Sequence, residues 1–153
     1  MSVSVRTVAF DDLPGLVGED LGASAWHEVT QEQVQLFADA TGDHQWIHVD
    51  RERAAAGPFG GTIAHGYLML SLLPQLLHGL LTIADARLGV NYGIERVRFT
   101  APVPSGSDVR LKARLGASER RGEAVLYRVE VEVELRDSER PALVGEVLYL
   151  AYP

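Results

Sequence analysis

The sequence predicts an α+β fold in which an antiparallel sheet wraps around one buried helix. Three observations carry that prediction. Residues 67–83 are apolar nearly all round, interrupted by Ser71, Pro74, Gln75 and His78, which is the pattern of a helix surrounded by protein. Further on, Val109, Leu111, Ala113 and Leu115 alternate with Arg110, Lys112 and Arg114. Val125, Tyr127, Val129, Val131, Val133 and Leu135 alternate mostly with Arg and Glu. A period of two marks strands with one buried and one wet face. Finally, the helical signals precede the run of strands, which is an α+β order rather than an alternating βαβ one.

The elements follow in chain order. Residues 24–29 read as a short strand. Thr30 and Gln33 have capping-box spacing, and Val34, Leu36, Phe37 and Ala40 continue as a helix that Gly42 is placed to end. Asp50 is placed to cap a short helix over 51–56. The stretch Gly57-Pro58-Phe59-Gly60-Gly61 reads as a loop. The central helix is expected over 65–81, with Pro74 kinking it or ending its first part. A strand over 94–99 must stop before Pro102 and Pro104. Segments 117–122 and 137–141 read as turns, and 143–150 as the last strand.

Length and composition narrow the function. A chain of 153 residues is expected to form a single domain spanning 1–153. At this size a domain buries about 70% of the surface its unfolded chain exposes. The net charge of −7 and pI near 5.2 argue against a nucleic-acid partner, which would need a basic face. The absence of cysteine excludes disulfides, thiolate catalysis and thiolate-bound zinc. Residues 1–10 lack the basic and apolar regions of a signal peptide, and the polar interruptions of 67–83 argue against a membrane span, so a cytoplasmic protein is expected. Of 14 basic residues 13 are Arg; with abundant Ala, Gly and Val, this fits a GC-rich, bacterial genome.

The chemistry concentrates in Phe37-Ala38-Asp39-Ala40-Thr41-Gly42-Asp43-His44-Gln45-Trp46-Ile47-His48-Val49-Asp50. This stretch reads as a loop held between two helices, where catalytic side chains gather. Taken singly, Asp43 is a turn residue and His48 a structural histidine. Asp39 reads as part of a solvated face, Asp50 as a cap, His27 and His78 as structural, and Trp46 as core. His44 and His48 are four apart, a metal-binding spacing only on a helix, so no metal site is expected.

Asp43-x-Gln45-x-x-His48 resembles the Asp-x-Asn-Pro-x-His motif of the MaoC-like (R)-specific enoyl-CoA hydratases, also called hydratase 2. Gly61-Thr62-Ile63-Ala64-His65-Gly66 resembles that family's Pro-Ile-Val-His-Gly segment at the start of the central helix. Gln45 and Trp46 stand where Asn and Pro are usual, and the run Asp-His-Gln-Trp-Ile-His is similar to the NodN-like branch. Pro74 stands where several hydratases carry Ser.

The resemblance implies a hot-dog fold, at least a homodimer, and an acyl-CoA or acyl carrier protein substrate, with no cofactor. It implies reversible hydration of a trans-2-enoyl-CoA to an (R)-3-hydroxyacyl-CoA, within fatty-acid metabolism. Asp43 and His48 are then the catalytic pair. Asp43 is expected to accept a proton from water, and His48 to orient that water and relay a proton to C2. The Gly66 N–H, at a helix start, suits an oxyanion. Gln45 either orients the pair or satisfies loop backbone. His65 is a packing or hydrogen-bonding residue beside the substrate. Asn91 touches the thioester or belongs to a turn, and Arg96 and Arg98 meet coenzyme A phosphates or water. A hot-dog thioesterase and a non-catalytic acyl-CoA-binding protein remain the alternatives.

Overall fold

The alternating half of the sequence forms one twisted sheet, and the apolar helix lies against it. The computed structural model describes residues 3–153. In chain order these form β1 (Arg6–Val8), a 3-10 helical segment (Phe10–Leu16), β2 (Asp20–Ala23), β3 (His27–Val29), α1 (Gln31–Thr41), α2 (Trp46–Val49), α3 (Arg51–Ala55), α4 (Gly66–His78) and β4 (Leu81–Ile83). Four long strands follow: β5 (Leu88–Phe99), β6 (Ser107–Arg121), β7 (Ala124–Leu135) and β8 (Leu143–Tyr152).

The main sheet is antiparallel, in the order β2-β6-β7-β8-β5, with β3 also paired to β6. β1 and β4 make a separate parallel pair. On α4, Leu68, Met69, Leu72, Leu73, Leu76 and Leu77 are buried. They join Leu111, Leu115, Val129, Val133 and Leu143 of the sheet in one core. Each such side chain contributes about 1.5–3 kcal/mol on burial. The other face of the sheet is wet and charge-matched. Cations of β6 stand opposite carboxylates of β7, with Lys112 2.6 Å from Glu134, Arg110 also on Glu134, and Arg114 3.8 Å from Glu130.

Several sequence-based boundaries shift. The strand expected at 24–29 begins only at His27, while β2 forms earlier, at Asp20–Ala23. The turn expected at 117–122 is strand as far as Arg121, and only 122–123 turn, with Gly122 at φ 60°. Asn91-Tyr92-Gly93 is not a turn but part of β5, where the register with β8 shifts between Asn91 and Gly93. α4 runs through Pro74 to His78 and does not end there, because surrounding apolar contacts outweigh one lost backbone bond. The stretch 37–50 is not loop between its helices either, since Trp46–Val49 closes a helical turn.

Both predicted caps form, one of them halfway. Asp50 Oδ1 accepts from the Arg53 N–H at 3.0 Å at the start of α3. Thr30 Oγ1 accepts from the Gln33 N–H at 3.1 Å, but the Gln33 side chain turns to the His27 ring at 2.9 Å rather than completing the capping box.

Candidate active site

The end of α1 delivers the first carboxylate. Gly42 caps the helix at φ 78°, a left-handed conformation that costs glycine little, and the chain turns sharply into Asp43. Asp43 is exposed, and its Oδ1 accepts from the Gln45 N–H at 3.3 Å. Gln45 is therefore the residue before α2, with its backbone rather than its side chain tied to Asp43.

The α2 turn then carries His48 inward, to 6% exposure. Three bonds fix that turn. The Ile63 N–H donates to the Ile47 carbonyl at 3.0 Å. Gln31 Nε2 donates to the His48 carbonyl at 2.8 Å. His48 Nδ1 lies 2.6 Å from the Ile63 carbonyl. A carbonyl can only accept, so Nδ1 carries the hydrogen and Nε2 of the neutral ring keeps its lone pair. Burial holds the His48 pKa below the ordinary imidazole value. The neighbouring His65 ring adds to that, while the Ile63 carbonyl and Asp43 oppose it. At neutral pH His48 is thus an uncharged base.

His65 lies directly before α4 and is 2% exposed. Its ring stacks on His48 with centroids 3.8 Å apart and meets Phe37 at 4.9 Å. Its Nε2 donates to the backbone carbonyl of Asp43 at 3.0 Å, and its Nδ1 finds no partner among the described residues. His65 therefore ties the start of α4 to both members of the pair.

One candidate atom from each of Asp43, His48 and His65 lies within 4.8 Å of the others. Distance alone would suit a cation. Each ring spends one nitrogen on a carbonyl and leaves the other free, so the same arrangement can hold a proton, a water or an ion.

Gly66 opens α4, and among the described residues no acceptor meets its N–H. A Cβ at this position would stand 2.7 Å from the Phe99 ring, so any larger residue must displace that ring. The expected members Asp43, His48, His65 and Gly66 thus come together, with Gln45 at the edge. Asn91 does not join them. It lines two hollows beside Pro74 and Tyr149, near the middle and far end of α4.

The remaining motif residues have quieter places. His44 pairs with Asp39 at 2.8 Å and turns away from His48, so the spacing of four serves no shared site. Trp46 is half-buried rather than core, between Gly57 and the Arg53 guanidinium, 4.3 Å from its ring. Arg96 sits at φ 53° in a β5 bulge, and Arg98 donates to the Val97 carbonyl.

Gln31, Thr62, Phe37 and Phe99 were not singled out from sequence. The Thr62 hydroxyl bonds Gln31 Oε1 and lies 3.0 Å from the Ser105 hydroxyl, which steadies the amide holding α2. Thr62 lay inside the Gly61–Gly66 motif, so a polar residue amid apolar ones was a usable signal. Gln31 gave none, because a glutamine in a first helical turn is ordinarily solvated.

The sequence profile described as "MaoC like domain" matches residues 12–136. The chain belongs to this MaoC-like dehydratase family. It is 53% identical over 143 residues to the 3-hydroxyacyl-thioester dehydratase Z of Mycobacterium tuberculosis, covering 92% of this chain and 95% of that one. It is 50% identical over 144 residues to nodulation protein N of Rhizobium leguminosarum bv. viciae, covering 92% and 89%. The NodN-like character of the motif is thus matched by a NodN relative. In fold, it superposes on the (R)-hydratase of A. caviae with a TM-score of 0.71 at 22% identity, covering 87% and 94%. The antiparallel sheet around α4 is therefore the MaoC hot dog.

Proposed function

We propose that this protein reversibly adds water to a trans-2-enoyl thioester, giving the (R)-3-hydroxyacyl thioester, with Asp43 and His48 doing the proton work. The carrier is coenzyme A or an acyl carrier protein. The observation that carries the reading is the state of His48: buried, uncharged, with Nδ1 spent on the Ile63 carbonyl, Nε2 left free, and the ring within 4.8 Å of an Asp43 carboxylate oxygen. The relatives named as a dehydratase and an (R)-hydratase support the reaction class and its stereochemistry.

The chemistry follows from these groups. A water between them donates one hydrogen to the Asp43 carboxylate and the other to His48 Nε2, leaving a lone pair for C3. As the C3–O bond forms, one proton passes to the pair and the C2–C3 π electrons move onto the thioester oxygen. The Gly66 N–H, at the positive end of α4, meets that charge. The enolate then collapses, C2 takes the proton from the pair, and H and OH have been added. Because His48 starts with a bare Nε2, it must receive a proton before it relays one.

The reading includes one domain spanning the chain and a homodimer in a bacterial cytoplasm, serving fatty-acid metabolism. β5 is an edge strand with Leu88, Val90, Tyr92 and Ile94 all exposed, and pairing with a second copy would cover them. Among the described residues no helix is long and apolar enough to cross a membrane.

The test is the loss of enoyl-thioester absorbance with crotonyl-CoA and a longer trans-2-enoyl-CoA, with a thiol reagent in parallel. Absorbance loss without free thiol is expected. Thiol release would make the protein a thioesterase, and silence in both assays would leave a substrate bound to acyl carrier protein or a binding-only role, which the same assay on enoyl-acyl carrier protein separates.

A further inference from the structure

Four polar side chains stand in register across the sheet. Asn91 of β5 is opposite Tyr149 of β8, Tyr149 is opposite Tyr127 of β7, and Tyr127 is opposite Ser118 of β6. Residues directly opposite on neighbouring strands project from the same face. Here that face is the one α4 packs on: Tyr149 belongs to the apolar core, and Tyr127 packs against it. A polar row across a core face is costly unless each group finds a partner. Of the row only Ser118 Oγ is buried without one; the two phenols bond no described residue but border open space, and Asn91 is exposed.

The row faces open space. Tyr127, Tyr149 and Asn91 line a hollow of about 410 Å³ with Pro74, Leu77 and Leu81. A second hollow, about 320 Å³, shares Pro74, Asn91 and Tyr149 and reaches Leu70, about one helical turn beyond Gly66. Together they run along α4 from near the catalytic corner to the phenols, with Gly66 and Pro74 about 12 Å apart along the helix axis.

On the hydratase reading the acyl tail runs in this trough, and we propose that Tyr127 and Tyr149 select tails bearing a hydrogen-bond acceptor, such as a keto or hydroxyl oxygen, well beyond C3. The proposal rests on the hydratase reading for the identity of the ligand as an acyl thioester. A plain alkyl tail would strip water from two phenols and return no hydrogen bond, whereas an oxygenated tail would satisfy them. Both are donors near neutral pH, as any phenol is, and burial raises Tyr149 to about 12 and Tyr127 higher still.

The experiment is calorimetric binding of two saturated esters that cannot be hydrated: decanoyl-CoA and its analogue with a ketone next to the terminal methyl. Wild-type protein should bind the ketone ester about tenfold more tightly, and the Tyr127→Phe/Tyr149→Phe double variant should bind the two within about twofold. Equal or tighter binding of decanoyl-CoA by the wild type, a preference that survives in the double variant, or no binding of either ester overturns the proposal. Crotonyl-CoA turnover by the wild type is read separately. If the ketone preference holds while crotonyl-CoA and longer enoyl esters are inert, hydration fails and tail selection stands.

Discussion

Two polar clusters lie along α4, and they are finished to different degrees. At the helix start, the ring nitrogens and carbonyls that set geometry are committed: His48 Nδ1 to Ile63, the His48 carbonyl to Gln31, and His65 Nε2 to Asp43. What remains free there is His48 Nε2, the Gly66 N–H and His65 Nδ1, the last buried without a partner among the described residues. Further along, Ser118, Tyr127 and Tyr149 have no such partners. A site that must hold one geometry through a reaction satisfies its supports internally. A site that recognises can leave its polar groups open for the ligand.

Substitutions separate the two clusters by size of effect. Asp43→Asn and His48→Ala should each lower hydration by roughly 100-fold or more, the scale of a lost acid–base group, with the far-ultraviolet circular dichroism unchanged. Near-wild-type turnover in either variant would remove that residue from the site. Gly66→Ala drives a Cβ into Phe99 and should destabilise by about 1–3 kcal/mol in urea, with turnover falling as the helix start shifts. Adding Phe99→Ala should recover much of that stability if the clash is the cause.

Smaller effects sharpen the contrast. Thr62→Val leaves the Gln31 amide oxygen without its donor and should cost about 1–3 kcal/mol. Ser118→Ala removes a hydroxyl that already lacks one, so its unfolding free energy should stay within about 0.5 kcal/mol of wild type or rise. Equal losses in the two variants would erase the distinction between a completed and an open cluster.

The pH profile is the gentlest probe. The pKa of His48 lies below the ordinary imidazole value, and protonation removes its lone pair. The acidic limb of kcat/KM should therefore fall below about pH 6.5, the unperturbed value, with activity lost as pH drops through it. A limb above that value would assign it to another group.

Much of this was legible in the sequence. The period-two runs of 109–115 and 125–135 announced strands with a charged face, and the charged ladder of Arg110, Lys112 and Glu134 now occupies it. Asp43, His48, His65 and Gly66 were legible because two short motifs fixed residue types close to each other in the chain. What stayed hidden depends on distant pairing. The Asn91–Tyr149–Tyr127–Ser118 row exists only once four strands are in register, and in the sequence each member sits in an unremarkable strand. Asn91 was misread as a turn for the same reason: glycine at 93 marks a bulge in a long strand, and only the partner strand reveals it. The α2 turn was missed because four residues carry too little periodicity to show.

The most direct test runs the reaction in oxygen-labelled water, with wild type and Asp43→Asn side by side on a trans-2-enoyl-CoA. The account predicts label on the C3 hydroxyl of an intact thioester with wild type, and little product with the variant. Label in a released carboxylate alongside free coenzyme A, or equal labelling by both proteins, would contradict it.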